Sequence, residues 1–485
     1  MNAQSPSLAK RAPDPPPRDS DKLYADHVKV YPQRVWGRFR KLKWTALAVL
    51  LGIYYLAPWL RWDRGPGAPD QAILIDMPGR RAYFFLIEIW PQEVYFLAGL
   101  LILGALGLFL ATSLFGRVWC GFACPQTVWT DLFMQVERWI EGDRNRRMKL
   151  DKAPLSIEKL WRKSAKHAAW LAISVATGGA WIFYFNDAPT VLGQLVTGEA
   201  SFAVYGFIGL FTSTTYLLAG WAREQVCIYM CPWPRFQSAM FDEHSLLVTY
   251  EAWRGEPRGQ AKAGKPVPGQ GDCIDCGLCV RVCPTGIDIR NGQQLACIGC
   301  ALCVDACNSV MEKIGRPRDL IAYDSLARSE ARSQGRAAKV RLLRPRTFIY
   351  AGLLALGAAI MLAALTMRST VELGVLPDRA PVFVRLSDGS IRNGYTLKVS
   401  NKTREDRAYS LSMDGPAGAL VAVLGQEENG APTLEVKRDS VGSFRLFVTY
   451  AKHAIAEAKT PLNVTIRDLT TGEVSRHDTV FSAPR

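Results

Sequence analysis

The chain has 485 residues, a formal net charge of +15, 49% hydrophobic residues and 12 cysteines. That length exceeds what one hydrophobic core organises, so several domains are expected. The basic excess does not point to nucleic acid, because Lys and Arg gather beside long apolar runs, as they do on the cytoplasmic side of membrane proteins.

Residues 1–43 combine Pro13, Pro15, Pro16 and Pro17 with Lys22 and Lys29, and read as a disordered basic cytoplasmic tail. No apolar core directly follows a short basic start, so this is not a signal peptide. Arg34, Arg38, Arg40, Lys41 and Lys43 abut the first apolar run, Thr45 to Leu60, with Trp44, Trp59 and Trp62 placed to anchor its two ends. Residues 44–222 are predicted to hold four transmembrane helices, the others near 94–115, 167–185 and 202–221. Between the first two, Ile73 to Ile75, a turn at Pro78-Gly79, and Tyr83 to Ile89 predict a hairpin lying on the membrane, with a re-entrant segment as its rival. Residues 116–166 form a basic loop, whereas 186–200 carries no Lys or Arg. A fifth span is predicted at 347–367. The charge pattern then places the N-terminus and residues 223–346 in the cytoplasm and residues 368–485 in the periplasm.

Within 223–346, the cysteines Cys273, Cys276, Cys279 and Cys283 are followed by Cys297, Cys300, Cys303 and Cys307. Two successive C-x2-C-x2-C-x3-C runs have the spacing of a bacterial two-cluster ferredoxin, in which the last cysteine of each run ligates the other cluster. The predicted ligands are therefore Cys273, Cys276, Cys279 and Cys307 for one [4Fe–4S] cluster, and Cys297, Cys300, Cys303 and Cys283 for the second. Gly277 and Gly299 permit tight backbone bends between ligands. Zinc and disulfides fit this double spacing poorly. Pro284 follows the first run, but Asn308 stands at the corresponding place in the second.

The remaining cysteines form two C-x3-C-P pairs, Cys120/Cys124 before Pro125 and Cys227/Cys231 before Pro232, each at the predicted cytoplasmic end of a span. On a helix, residues four apart share one face. Two such thiolates suit Cu(I), zinc or an iron–sulfur cluster, with Met230 or His244 as further donors if near. The plainer reading is four small buried residues without metal. No cysteine is left for a disulfide framework, which fits a reducing compartment. Residues 368–485 alternate at Tyr395 to Val399, Leu434 to Val436, Phe444 to Val448 and Val464 to Ile466. Turn pairs separate them at Asp388-Gly389, Asn393-Gly394, Asp414-Gly415 and Thr471-Gly472. About seven short strands predict an immunoglobulin-like sandwich.

The stretches Gly37-Arg38-Phe39-Arg40, Trp119 to Thr127, Cys227 to Pro232 and the double cysteine run together resemble the CcoG family, also called FixG or RdxA. These are accessory proteins for cytochrome cbb3 oxidase assembly. The resemblance implies a multi-pass α-helical protein of the bacterial cytoplasmic membrane, with about five spans, an inserted ferredoxin-like domain and a C-terminal all-β immunoglobulin-like sandwich. It implies a cupric reductase that turns Cu(II) into Cu(I) for the oxidase, with Cys120, Cys124, Cys227 and Cys231 as copper ligands. Its partners would be the oxidase assembly machinery or a copper chaperone, and a cytosolic electron donor. Two rival expectations are a non-catalytic assembly factor with structural clusters, and an electron conduit to a quinone or another membrane redox partner. No flavin or nicotinamide fingerprint identifies a donor.

Overall fold

A computed structural model of the chain describes residues 29–65, 67–260, 268–337, 339–425, 432–451 and 457–484. These divide into two compact units, Met1–Met361 and Leu362–Arg485. The helices in chain order are α1 (Arg38–Leu56), α2 (Tyr95–Phe115), α3 (Pro125–Glu141), α4 (Arg144–Lys152), α5 (Ile157–Ile182), α6 (Ala188–Thr197), α7 (Phe202–Thr215), α8 (Trp233–Met240), α9 (Ala252–Gly255), α10 (Leu278–Val282), α11 (Leu302–Ile314), α12 (Leu326–Ser333) and α13 (Pro345–Thr366).

Four helical stretches among the described residues are long and apolar enough to cross a membrane: Arg38–Trp59, Pro91–Phe115, Phe202–Ala222 and Pro345–Thr366. Their large apolar side chains point outward, as Leu101 at 67% and Ile360 at 60% exposure show, the arrangement a lipid solvent permits because each helix satisfies its own backbone. The predicted span at 167–185 differs. It lies within α5, whose first turns carry Lys159, Lys163 and Lys166, so its apolar length falls short of the other four. α5 packs closely on α7 because Gly178 leaves no room for a side chain: a Cβ there would stand 2.8 Å from the Ile208 carbonyl oxygen. Trp170 of α5 stacks on Phe133 of α3 with ring centroids 5.4 Å apart.

The tail expected to be disordered divides in two. Residues 1–28 lie outside the described residues, whereas the chain from Lys29 to Gly37 is fastened. Tyr31 donates to Asp151, Arg147 donates to the Pro32 carbonyl, and the Gln33 N–H donates to the Arg281 carbonyl at 2.8 Å. The predicted hairpin is present as strands β1 (Ile73–Asp76) and β2 (Arg81–Phe84), and β3 (Ile87–Ile89) extends it to three strands. Glu88 is matched there by Arg81 at 3.0 Å. Strands β4 (Leu247–Tyr250) and β5 (Ile321–Asp324) pair antiparallel and bracket the double cysteine run.

The second unit carries β6 (Val371–Pro377), β7 (Val384–Arg385), β8 (Ile391–Asn401), β9 (Arg407–Asp414), β10 (Leu420–Val423), β11 (Thr433–Val436), β12 (Ser440–Tyr450), β13 (Lys459–Asp468) and β14 (Val474–Ser482). One sheet runs β10-β12-β8-β6 with β7 also on β8, and the other runs β11-β9-β13-β14. Their inward residues, among them Tyr395, Leu397, Tyr409, Leu446, Val448 and Ile466, are each 5% exposed or less and form one core. The sandwich is as predicted, with nine strands among the described residues rather than about seven. One predicted turn is wrong: Asn393-Gly394 lies inside β8. The missing side chain at Gly394 admits the Asp378–Arg445 ion pair that crosses above it.

Candidate iron–sulfur and thiolate site

The two cysteine runs are one backbone design used twice. In the first, Asp275 (φ 52°) and Gly277 (φ 63°) are left-handed. In the second the equivalent positions are Gly299 (φ 71°) and Ala301 (φ 56°). Each loop thus turns sharply on either side of its middle cysteine and leads into a short helix, α10 or α11. The sequence disclosed one bend per loop, at the glycines. The other, at Asp275 and Ala301, is a conformation most residues resist and was not readable from residue type.

The third cysteine of each run sits in the first turn of its helix, and the last follows four residues on. Cys307 faces Cys273, Cys276 and Cys279, while Cys283 faces Cys297 and Cys300, and Cys303 in turn faces both of those and Cys283 more strongly than it faces Cys279 of the other run. The structure therefore gathers eight thiols into two sets of four, each drawing its last member from the other run. Apolar walls surround them: Val248, Ile289, Ala301 and Val304 on one side, Ile298 and Leu302 on the other. Four soft donors in a dry, N–H-rich loop fit a [4Fe–4S] cluster. Asn308 has a visible consequence. Pro284 stands just beyond the end of α10, whereas Asn308 lets α11 continue to Ile314. Its side chain ties that helix to Asp319 through paired hydrogen bonds of 3.0 and 2.7 Å.

The two C-x3-C-P pairs are also a backbone repeat, but not the α-helical one expected. After the second span the chain breaks at Gly116 (φ 57°), makes one π turn over Trp119–Ala123, leaves the helix at Cys124 and enters α3 at Pro125. Beyond the span containing α7 it breaks at Arg223 (φ 40°), makes one π turn over Val226–Met230, leaves the helix at Cys231 and enters α8 past Pro232. The Cys124 N–H reaches the Trp119 carbonyl, and the Cys231 N–H the Val226 carbonyl, both at 2.8 Å. These are five-residue hydrogen bonds, which widen the turn; π turns of this kind gather at functional sites. The thiols consequently do not share one α-helical face within each pair. Instead the two turns bring their thiols toward one another: Cys120 interacts with Cys124, Cys227 and Cys231, and Cys227 with Cys124 and Cys231. Burial pushes the Cys120 and Cys227 thiols up to about 12, so binding a cation there must release protons.

This thiol face is pressed against the second cysteine loop. Cys120 and Cys227 pack on Ile298, Cys300 and Leu302. A Cβ on Gly121 would stand 3.0 Å from the Cys300 backbone, and one on Gly299 2.9 Å from Arg117 Cβ. Arg117 fastens the contact by donating to the carbonyls of Leu295, Cys297 and Pro234. From the other direction, Asp305 of α11 accepts the Phe39 and Arg40 N–H groups at 3.2 and 2.8 Å, and so caps the first span. Gly37 has to be glycine because a Cβ would collide with the Asp305 carboxylate. Arg117, Asp305 and Gly37 were missed as positioning residues, since each acts across a long stretch of sequence. The Gly37-Arg38-Phe39-Arg40 stretch was the one available signal.

Arg223 adopts a conformation that costs a non-glycine residue about 1–3 kcal/mol, and a buried ion network holds it. Its guanidinium meets Glu137 at 3.0 Å, and Glu137 also meets Arg147 at 2.7 Å. Lys166 pairs with Glu141 at 3.1 Å. Met230 borders a small cavity with Cys231, but His244 lines a different one beside Ser325 and Arg328. His167 hydrogen-bonds Tyr216 and packs on Trp170. Among the described residues, no three His, Cys, Asp or Glu side chains are drawn together tightly enough for a single metal ion.

Comparison with known proteins agrees with this arrangement. Residues 97–147 match the family described as a 4Fe-4S binding domain, 222–326 the 4Fe-4S dicluster domain, and 361–484 the IG-like fold at the C-terminus of FixG. The chain is 51% identical over 473 residues to protein RdxB of Cereibacter sphaeroides, covering 96% of this chain and 98% of that one. It is 50% identical over 495 residues to nitrogen fixation protein FixG of Rhizobium meliloti, covering 95% and 94%. It is 52% identical over 433 residues to protein RdxA of Cereibacter sphaeroides, covering 89% and 91%.

Proposed function

We propose that this chain, which belongs to the FixG family of membrane iron–sulfur redox proteins, takes electrons from a cytosolic donor and delivers them singly to Cu(II), supplying Cu(I) for assembly of a cytochrome oxidase. The observation that carries this reading is the contact between the second cysteine loop and the paired turns, where Cys120 and Cys227 pack against the buried cluster that includes Cys300 and a Cβ on Gly121 would stand 3.0 Å from the Cys300 backbone. Cys273, Cys276, Cys279 and Cys307 would hold one [4Fe–4S] cluster, and Cys297, Cys300, Cys303 and Cys283 the other. Such clusters, when bound, exchange one electron at a time, and Cu(II) to Cu(I) consumes one. The chain's own residues supply the route. Cys276 is the one exposed cysteine of the twelve, so electrons would enter from a donor at the first set, while the second set lies in the loop that packs against the membrane turns. Arg117 and Asp305 keep the second loop seated there. The Cys120, Cys124, Cys227 and Cys231 face is the membrane end of this electron path, so Cu(II) would be reduced beside it.

Anaerobically reduced protein mixed with Cu(II) and a Cu(I)-specific chelator should give about one Cu(I) per stored electron, and Cys300→Ser should give none beyond a cluster-free control. Equal yield from that variant would sink the proposal. A second reading, reduction of a quinone, is favoured by a cavity of about 240 Å³ beside Cys297, lined by Arg117, Phe241, Leu247, Ile289 and Tyr323. Oxidation of the reduced protein by a soluble quinone, blocked by Leu247→Trp, would select it.

The proposed topology puts the N-terminus and the cysteine loops in the cytoplasm and the β-sandwich in the periplasm, which requires α5 to cross with the four apolar spans. A reporter active only outside the cytoplasm, fused after Arg485, should be active. A reporter inserted in the 186–200 loop should be active as well. Activity of the loop fusion alone would remove the sandwich from the periplasm.

A further inference from the structure

We infer that Cys120, Cys124, Cys227 and Cys231 jointly ligate a third iron–sulfur cluster of the four-iron type, in place of the copper ion that the sequence resemblance implies. The inference rests on the electron-transfer reading above and fixes what occupies its membrane end.

Three independent observations converge on it. The first is the count of thiols. The segment matched as a 4Fe-4S binding domain, 97–147, contains only Cys120 and Cys124, half of what a cluster requires. The dicluster segment, 222–326, contains ten cysteines, two more than two clusters use. The surplus pair, Cys227/Cys231, is the structural repeat of the deficient one. The second is geometry. Both pairs stand on the same break, π turn and proline, and the two turns face each other so that Cys120 and Cys227 each interact with the other three thiols. No three of them approach closely enough for one ion, and the same holds for the eight loop cysteines. A cubane spreads its thiolates over four irons and holds them wider apart than a single ion does, so the looser grouping is compatible with a cluster, as it is in the two loops. The third is electrostatics. A thiolate-ligated cluster is anionic, and two cations stand between this face and the second loop. Arg117 interacts with both Cys120 and Cys297, and Lys43, 2% exposed, interacts with both Cys227 and Cys300. Lys43 also faces the Asp131 carboxylate, whereas the Arg117 guanidinium meets carbonyl oxygens and these thiols, so an anionic cluster would supply Arg117 with a counter-charge.

The site is built for tuning. Gln237 is fully buried, and its amide oxygen lies 3.3 Å from Cys120 Sγ. With Cys120 ionised, the amide would present its N–H instead, and hydrogen bonds to ligating sulfur shift a cluster's potential.

The test is anaerobic purification of the full chain with iron, sulfide and copper analysis, and spin quantitation by EPR of the dithionite-reduced protein. The expected result is about twelve irons per chain, against about eight for Cys120→Ser/Cys227→Ser, with the two ferredoxin-type signals retained in the variant. In the wild type, which does not depend on the variant folding, a reductive titration should show a third wave, shifted in Gln237→Leu while the other two stay in place. About eight or ten irons in the wild type, iron unchanged in the double variant, or copper or zinc recovered at the four thiols would each overturn it. Twelve irons without Cu(II) reduction would remove the functional reading and leave the third cluster standing. Eight irons with Cu(II) reduction intact would do the reverse.

Discussion

Cys283→Ser will strip iron from the set formed by Cys297, Cys300 and Cys303, although Cys283 lies beside the other run in the sequence. The reason is the crossing of α10 and α11. Cys279 opens the first turn of α10, and by Cys283 the chain has left that helix and come to face Cys297 and Cys300. Iron should fall by about four atoms per chain, and delivery of electrons to Cu(II) should fall to that of protein without clusters, because the lost set is the one against the membrane turns. Cys307→Ser should remove a similar amount of iron from the outer set and leave the inner EPR signal. It should block the donor but not the acceptor: chemically reduced protein would still give up the inner cluster's electron to Cu(II). The two variants therefore separate entry from exit. If Cys283→Ser instead erased the signal that Cys273→Ser erases, each run would serve its own cluster and the exchange of last ligands would be wrong.

What could be read from the sequence followed the range of the interactions involved. The double cysteine run was legible because its chemistry is local: spacing sets which thiols a loop can turn toward one centre. The sandwich was legible because alternation in Tyr395 to Val399 or Phe444 to Val448 has only one fitting geometry. The π turns were not legible. A C-x3-C-P pattern is compatible with an α turn, and the extra residue in the hydrogen-bonded ring is chosen by the break at Gly116 or Arg223 and the proline after each pair. Only Gly116 advertises such a break; Arg223 is held there by Glu137, 86 positions away. Likewise Asp305 gives no sign that it caps a helix 265 residues upstream. The region 167–185 was apolar enough to be read as a span, but part of its apolarity serves contacts with α3 and α7 while Leu171 and Val175 point outward, and Lys166 just before it belongs to the ion network.

That network carries the largest stability effect expected from a residue that ligates nothing. Glu137→Gln should destabilise the membrane unit by about 3–5 kcal/mol, because Arg147, Arg223 and Lys166 would be left buried without their shared carboxylate. Burial alone would raise the Glu137 pKa, but Arg223 and Arg147 override it and hold the carboxyl down at about 2. The unfolded chain binds a proton on this group near pH 4.3. The ionised group therefore stabilises the fold fully above that pH, and the contribution disappears as pH falls from about 4.3 toward about 2. Thermal unfolding of the detergent-solubilised protein should show a midpoint that drops across this window in the wild type. In Glu137→Gln the midpoint should already be several degrees lower at pH 7, with a shallower acid limb. The effect should also reach the thiols. Without Glu137, Arg223 has less reason to keep its left-handed turn, and relaxation there moves Cys227, four residues on. Glu137→Asp, which keeps the charge but shortens the reach, should recover part of the stability and less of the iron. A Glu137→Gln protein with the wild-type midpoint, acid profile and iron content would show that the network is incidental to both the fold and the site.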